Sequence, residues 1–245
     1  MRDMPADYEW EEWGLYYPGG DKKILMIHGF LSSPMNLDYL AKKLNEEGFT
    51  VLSVRLPGHD RRPEDLIRIY WQDWLEYVEL AYKEFGPSLV VGESTGGNLA
   101  LILASKERVP GVVLLSTPYR LKDRRMKYIP ILKDRWWETT YDVKDDKAVA
   151  YVYDVFPVES IIQVKELIEK SSEILEEVRS PVLIIHSLLD ETIPFENAFE
   201  LVKRLGSDSI EIFKVRRSGH LVAIDYDKEL VYRKILEFAE RVLKN

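Results

Sequence analysis

A chain of 245 residues suits one domain with an elaborated region, or a core plus a small cap. The net charge of -8 argues against nucleic acid and anionic membrane as main partners, and the absence of cysteine excludes disulfides and thiolate metal sites. The 31% of charged residues, with Gln72 and Gln163 the only glutamines, is a bias of heat-tolerant proteins, so a thermophilic source is expected.

No apolar run approaches the roughly 20 residues of a membrane span. Met1 to Glu12 is acidic and aromatic, without the basic start and apolar core of a secretory leader, so a cytoplasmic location is expected. His28, His59, His186 and His220 lie far apart without metal-ligand spacing. No metal and no cofactor are expected.

In chain order, Tyr8 to Tyr17 followed by Pro18-Gly19-Gly20-Asp21 reads as a short edge hairpin. Ile24 to Ile27 is a buried strand running into His28-Gly29-Phe30-Leu31. Ser33 caps a helix with Pro34 at its first position, Leu37, Leu40, Ala41 and Leu44 on its apolar face, and Gly48 at its end. Thr50 to Val54 is a strand, and Arg55 to Pro63 a polar loop. Trp71, Trp74, Leu75, Val78, Ala81, Tyr82 and Phe85 recur at helical spacing as one core-facing stripe. Ser88 to Val91 and Val112 to Leu115 are buried strands flanking a helix. Alternation then breaks over Tyr119 to Ser172. This segment carries a basic run (Arg120, Lys122, Arg124, Arg125, Lys127), read as a solvated face, and the aromatics Trp136, Trp137, Tyr141, Tyr151, Tyr153 and Phe156. It is expected to be a mostly helical insertion over the carboxyl edge of the sheet. Strand Pro181 to Ile185, helix Phe195 to Leu205, strand Ile210 to Val215 and a final helix complete the chain. Such alternation implies an α/β fold with a mostly parallel sheet covered on both faces, and ligands at the strands' carboxyl ends. The expected division is 1–117 and 178–245 for the core and 118–177 for the cap.

The chemistry centres on Gly92-Glu93-Ser94-Thr95-Gly96-Gly97. A strand reversing into a helix within a few residues forces Ser94 into a strained conformation, and the glycines remove the clashes that conformation creates. A serine hydroxyl needs a base, an orienting acid and oxyanion donors. Asp190 follows one later strand and His220 another, so serine, acid and histidine occur in the chain order this architecture uses. Ser94 would attack, His220 would move the proton, and Asp190 would fix the imidazole; Glu191, Asp225 and Asp227 are the competing acids. The backbone N–H groups of Phe30 and Thr95 would hold the oxyanion. Glu93, His59 and His186 read as structural.

Together His28-Gly29-Phe30, Pro57-Gly58-His59, the Ser94 motif, Asp190-Glu191-Thr192-Ile193-Pro194 and Ser218-Gly219-His220 resemble α/β-hydrolases of the carboxylesterase and monoacylglycerol lipase group with a small cap. The resemblance runs from about Lys23 to the C-terminus. It departs at Asp60 and Ser187, where the group usually has glycine. It implies cleavage of a small-molecule carboxylic ester through an acyl-enzyme, with Phe30 and Thr95 as oxyanion donors. Short- to medium-chain acyl esters are expected, monoacylglycerols and lysophospholipids among them, with Trp136, Trp137 and Phe156 as candidate walls of the acyl pocket. A serine peptidase or thioesterase on the same scaffold, or a silent binding protein, is the alternative. Oligomeric state is not legible.

Overall fold

The strands, in chain order, are β1 (Gly14–Tyr17), β2 (Lys23–Ile27), β3 (Thr50–Val54), β4 (Leu89–Glu93), β5 (Val112–Leu115), β6 (Trp136–Glu138), β7 (Val155–Pro157), β8 (Val182–Ser187) and β9 (Ile210–Val215). This computed structural model describes residues 10–59, 62–121 and 135–244. Seven strands form one sheet in the order β1-β3-β2-β4-β5-β8-β9, parallel throughout except where β1 meets β3. The central strands are buried on both faces, which is why they read as continuous apolar runs rather than alternating ones.

Helices α2 (Asp38–Glu46), α3 (Trp71–Phe85), α4 (Thr95–Lys106), α5 (Ser160–Glu173), α6 (Glu196–Arg204) and α7 (Lys228–Val242) cover the sheet, after a single opening turn α1 (Trp10–Trp13). Strand residues of opposite parity enter two cores. Leu25, Leu52, Val90 and Val112 pack with α3, α4, α5 and α6, whereas Ile24, Val51, Val91 and Val113 pack with α2 and α7. Ser33 accepts the Met35 N–H at 3.2 Å, and Pro34 opens a 3₁₀ turn that runs into α2. The stripe on α3 faces inward as its spacing predicts, with Trp74, Leu75, Val78, Ala81 and Phe85 buried. Helix α4 is apolar all round from Leu99 to Ala104 because α3 and α5 close over it.

Two local expectations are corrected. No hairpin forms between β1 and the strand after the Pro18–Asp21 turn. Both edges of β2 are taken by β3 and β4, so β1 pairs antiparallel with the free edge of β3, Gly14 opposite Val54. The turn is pinned there by the Gly20 N–H on the Gly48 carbonyl at 2.8 Å and the Gly19 N–H on the Thr50 hydroxyl at 2.9 Å. Tyr8 lies outside the described residues. Among its described residues the insertion also departs from the mostly helical expectation. From residue 135 onward it holds an antiparallel ribbon, β6 with β7, joined by a long irregular connection. The helix that follows, α5, is a layer of the core: Val164, Leu167 and Ile168 are buried, and Asn98 on α4 donates to Ser171 at 2.7 Å. Burying each such aliphatic side chain contributes about 1.5–3 kcal/mol. In the basic run, Lys122, Arg124, Arg125 and Lys127 lie outside the described residues, as does Asp60.

Candidate active site

Ser94 stands between β4 and α4 with φ +52° and ψ −122°, a conformation that side chains rarely adopt. Its N–H is anchored on the Leu115 carbonyl at 2.7 Å, and its carbonyl takes the Gly97 N–H at 2.9 Å. Glycine is demanded by close approach here. A Cβ on Gly92 would overlap the Gly96 carbonyl, and one on Gly96 would overlap the Ile27 carbonyl.

The loops after β8 and β9 bring the other two groups to the same edge. His220 Nε2 lies 3.0 Å from Ser94 Oγ, and His220 Nδ1 lies 2.8 Å from Asp190 Oδ2. With Nδ1–H donating to the carboxylate, Nε2 is the acceptor for the serine proton. Asp190 Oδ1 accepts the N–H groups of Thr192 at 3.0 Å and Ile193 at 2.7 Å. Burial alone would raise the Asp190 carboxyl, but the adjacent His220, the hydrogen bonds from His186 and His220 and the Ile193 N–H outweigh it. The carboxyl is held well below the usual carboxylate range. Burial disfavours the charged His220 imidazole, yet the Asp190 carboxylate, with smaller contributions from Glu93 and Asp142, leaves its pKa above the usual histidine value.

The competing acids do other work. Glu191 is 81% exposed at its side chain and pairs with Lys144. Asp227 Oδ2 accepts the N–H groups of Arg216, Arg217 and Ser218, shaping the turn before His220. Asp225 accepts the N–H groups of Lys144, Asp145, Gly219 and Tyr226, all at 2.7–2.8 Å. Ser187, one of the two departures from the resembling group, donates to the Ser218 carbonyl and accepts the Leu189 N–H at 3.0 Å, so it ties the acid loop to the histidine loop. His186 touches the acid: its Nε2 lies 2.8 Å from the Ile193 carbonyl and 3.3 Å from Asp190 Oδ2.

On the other side of Ser94, the Phe30 N–H donates to the Thr95 hydroxyl at 2.7 Å. Two neutral histidines set the path of that loop. His28 Nε2 accepts the Leu56 N–H and His59 Nε2 accepts the Leu31 N–H, each at 3.1 Å, and Leu31 itself sits at φ +62°. Complete burial, reinforced by the neighbouring His59, pushes the His28 pKa down to about 3. Glu93 is fully buried beside the nucleophile. Neither of its oxygens has a hydrogen bond of normal geometry among the described residues, and burial pushes its pKa up to about 7 against the opposing influence of His220 and the nearby Ala223 N–H.

Ser94, His220, Phe30 and Thr95 open on a cavity of about 740 Å³. Trp136, Trp137 and Phe156 from the ribbon line it, with Ile161, Val164 and Ile168 from α5. Phe156 is buried edge-on to both Phe30 (centroids 5.8 Å apart) and Trp137 (6.2 Å), whereas Trp136 is 42% exposed. The insertion is fastened to both catalytic loops. The Asp142 carbonyl accepts the His220 N–H at 2.8 Å, and the Tyr153 N–H donates to the Leu31 carbonyl at 3.0 Å.

A family model described as "Alpha/beta hydrolase family" matches residues 24–233. The chain belongs to the alpha/beta hydrolase family. This hydrolase is 24% identical over 234 residues to a carboxylesterase of Bacillus subtilis (strain 168), covering 92% of this chain and 95% of that one. It is 27% identical over 237 residues to a thermostable monoacylglycerol lipase of Bacillus sp. (strain H-257), covering 91% and 92%. A solved structure from work on LipS and LipT, two metagenome-derived lipolytic enzymes, superposes with a TM-score of 0.88 at 27% identity, covering 93% of this chain and 96% of the other. The monoacylglycerol lipase of Paleococcus ferrophilus shares the fold, with a TM-score of 0.75 at 19% identity over 90% and 94% of the two chains.

Sequence reasoning alone misses Asp142 and the anchoring role of Asp225 in this hydrolase, because both act through backbone groups brought from the insertion. It also assigns Thr95 a part through its backbone N–H alone, whereas the hydroxyl is engaged as well.

Proposed function

We propose that the chain is a serine hydrolase that cleaves carboxylic esters through an acyl-enzyme. Ser94 is the nucleophile, His220 the general base and then general acid, and Asp190 the group that orients the imidazole. Phe30 and Thr95 flank the place where the oxyanion develops. The observation that carries this reading is the hydrogen-bonded series Asp190–His220–Ser94 opening on a cavity with aromatic and aliphatic walls. As Ser94 Oγ bonds to the acyl carbon, its proton passes to His220 Nε2 and the carbonyl electrons move onto oxygen. Collapse expels the alcohol, which takes the proton from His220. Water then repeats the sequence and frees the acid. Asp190 keeps the imidazole in the tautomer that can accept and stabilises the imidazolium.

Short- to medium-chain acyl esters, monoacylglycerols and lysophospholipids included, are the substrate class. The aromatic and aliphatic walls support an acyl chain, and the named relatives support lipolytic and esterolytic chemistry. The segment 118–177 serves as the cap, with α5 both part of the core and a wall of the cavity. The charged, cysteine-free composition supports a heat-tolerant enzyme. A panel of nitrophenyl esters of graded length, run beside a peptide and a thioester, tests the reading, with a fluorophosphonate as label. The esters should turn over fastest. The label should sit on Ser94, and Ser94→Ala should abolish labelling and lower turnover by about three orders of magnitude or more. A folded Ser94→Ala variant with full activity would falsify the mechanism.

A further inference from the structure

The oxyanion side of the site is already hydrogen-bonded to itself. The Phe30 N–H, expected to face the substrate, instead donates to Thr95 Oγ1 at 2.7 Å. Gly29 allows this approach: a Cβ there would stand 3.0 Å from the Ser94 Cβ and 3.2 Å from the Glu93 carbonyl. The His59 bond to the Leu31 N–H fixes the loop from the far side. Thr95 is the first residue of α4, adjoins the nucleophile, is buried, and lines the cavity. Its oxygen accepts the Phe30 N–H, yet among the described residues no acceptor takes its own proton. A buried hydroxyl donor without an acceptor is costly, and the open direction is the cavity.

We infer that the Thr95 hydroxyl is itself an oxyanion donor, beside the Thr95 N–H, and that the Phe30 N–H acts through it. This rests on the ester hydrolase reading above. When Ser94 adds to the acyl carbon, the new anionic oxygen accepts two hydrogen bonds from one residue, the Thr95 N–H and the Thr95 O–H. The Phe30 N–H keeps its bond to Thr95 Oγ1 and polarises the O–H, since a hydroxyl that accepts a hydrogen bond becomes a stronger donor. No proton is transferred along this relay. The alternative is that the hydroxyl merely occupies the Phe30 N–H at rest and swings away to release it. The two differ in sign. A relay loses rate when the hydroxyl is removed, whereas a plug gains it or leaves it unchanged.

The test compares Thr95→Val, which keeps the shape, Thr95→Ala, which leaves room, and Thr95→Ser, which keeps the hydroxyl. Each is assayed for kcat and KM on a nitrophenyl ester. Each is also assayed for inhibition by an alkyl trifluoromethyl ketone, which a serine nucleophile converts to a hemiketal anion. A lost oxyanion donor lowers kcat by about a hundredfold. The valine and alanine variants should show that loss with KM nearly unchanged and ketone inhibition weakened by a similar factor, while serine stays within about threefold of wild type. Valine or alanine variants as fast as wild type, or faster, overturn the relay while leaving the hydrolase reading intact. A serine variant as slow as alanine likewise overturns it, because the hydroxyl is then not what matters. A wild-type chain that neither turns over the ester panel nor reacts with fluorophosphonate overturns both.

Discussion

Glu93 offers a measurement in which one atom exchange should change how stability depends on pH. Its carboxyl is 0% exposed, and neither oxygen has a hydrogen-bond partner of normal geometry among the described residues. Burial lifts its pKa from 4.5 to about 7. In the unfolded chain the group ionises near the lower value, so between the two values the folded state holds a proton that the unfolded state has released. Stability therefore falls as pH rises from about 4.5 to about 7 and is level above that. The difference of about 2.5 units, 7 minus 4.5, corresponds to about 3 kcal/mol, as an order of magnitude. Glu93→Gln cannot ionise. Whatever constant cost its amide adds, its stability relative to wild type should rise by about 3 kcal/mol between pH 4 and pH 8. Urea unfolding of both proteins at a series of pH values measures this directly. The acid limb of the pH–rate profile should move down in the same variant, because Glu93 helps hold the proton on His220. A stability difference constant from pH 5 to pH 8 would mean that the carboxyl finds a partner in the fold, and the reasoning would fail.

Because the pKa of His220 lies above 6.5 and only the neutral ring accepts the serine proton, kcat/KM should rise with pH through a midpoint above that value; a flat profile between about pH 5 and 9 counts against His220 as base. Asp190→Asn should cost about 10⁴ in kcat, since an amide leaves the imidazole in the wrong tautomer. Asp225→Asn should instead loosen the histidine loop and the insertion together, lowering the unfolding temperature as well as the rate; the reverse pattern would reassign the acid. Rate constants across an ester series should climb by about 0.8 kcal/mol of binding per buried methylene, then fall abruptly at medium length. Phe156→Ala and Trp137→Ala should move that optimum to longer chains and leave acetate hydrolysis nearly unchanged, with Trp136→Ala, the most exposed of the three, moving it least. An unmoved optimum in all three variants would confine these aromatics to holding the ribbon together.

What the sequence reveals here is what sterics enforce over a few residues. The clash that a side chain at Gly92 or Gly96 would make forces the Ser94 turn, and that demand is written within five positions. Asp190 and His220 are legible because each follows a strand, and parallel strands deliver their following loops to one edge. Harder to read is whatever depends on which backbone arrives opposite. The edge of β3 left free for β1, the ribbon of Trp137 and Phe156, and the carbonyl of Asp142 over His220 have no local signature. Asp225 carries the same lesson: adjacent in sequence to the histidine loop, it resembles a catalytic acid until the Lys144 and Asp145 N–H groups are seen to fill it.

That mode of attachment has a consequence for how such a site diversifies. Core groups hold the connection between β6 and β7 by its backbone. Asp225 takes two of its N–H groups, Asn36 takes the Tyr151 N–H and donates to the Tyr151 carbonyl, and the Leu31 carbonyl takes the Tyr153 N–H. Backbone bonds survive a change of side chain. Residues of the ribbon can therefore be exchanged to reshape the acyl pocket while the loops carrying Phe30 and His220 keep their positions. Side chains of the insertion that reach the catalytic loops include Asp142, whose carboxylate also takes the Glu191 N–H at 2.8 Å, and Tyr153, whose hydroxyl donates to the Gly58 carbonyl at 3.0 Å. A substitution at either of these side chains would reach the chemistry through the loop it holds.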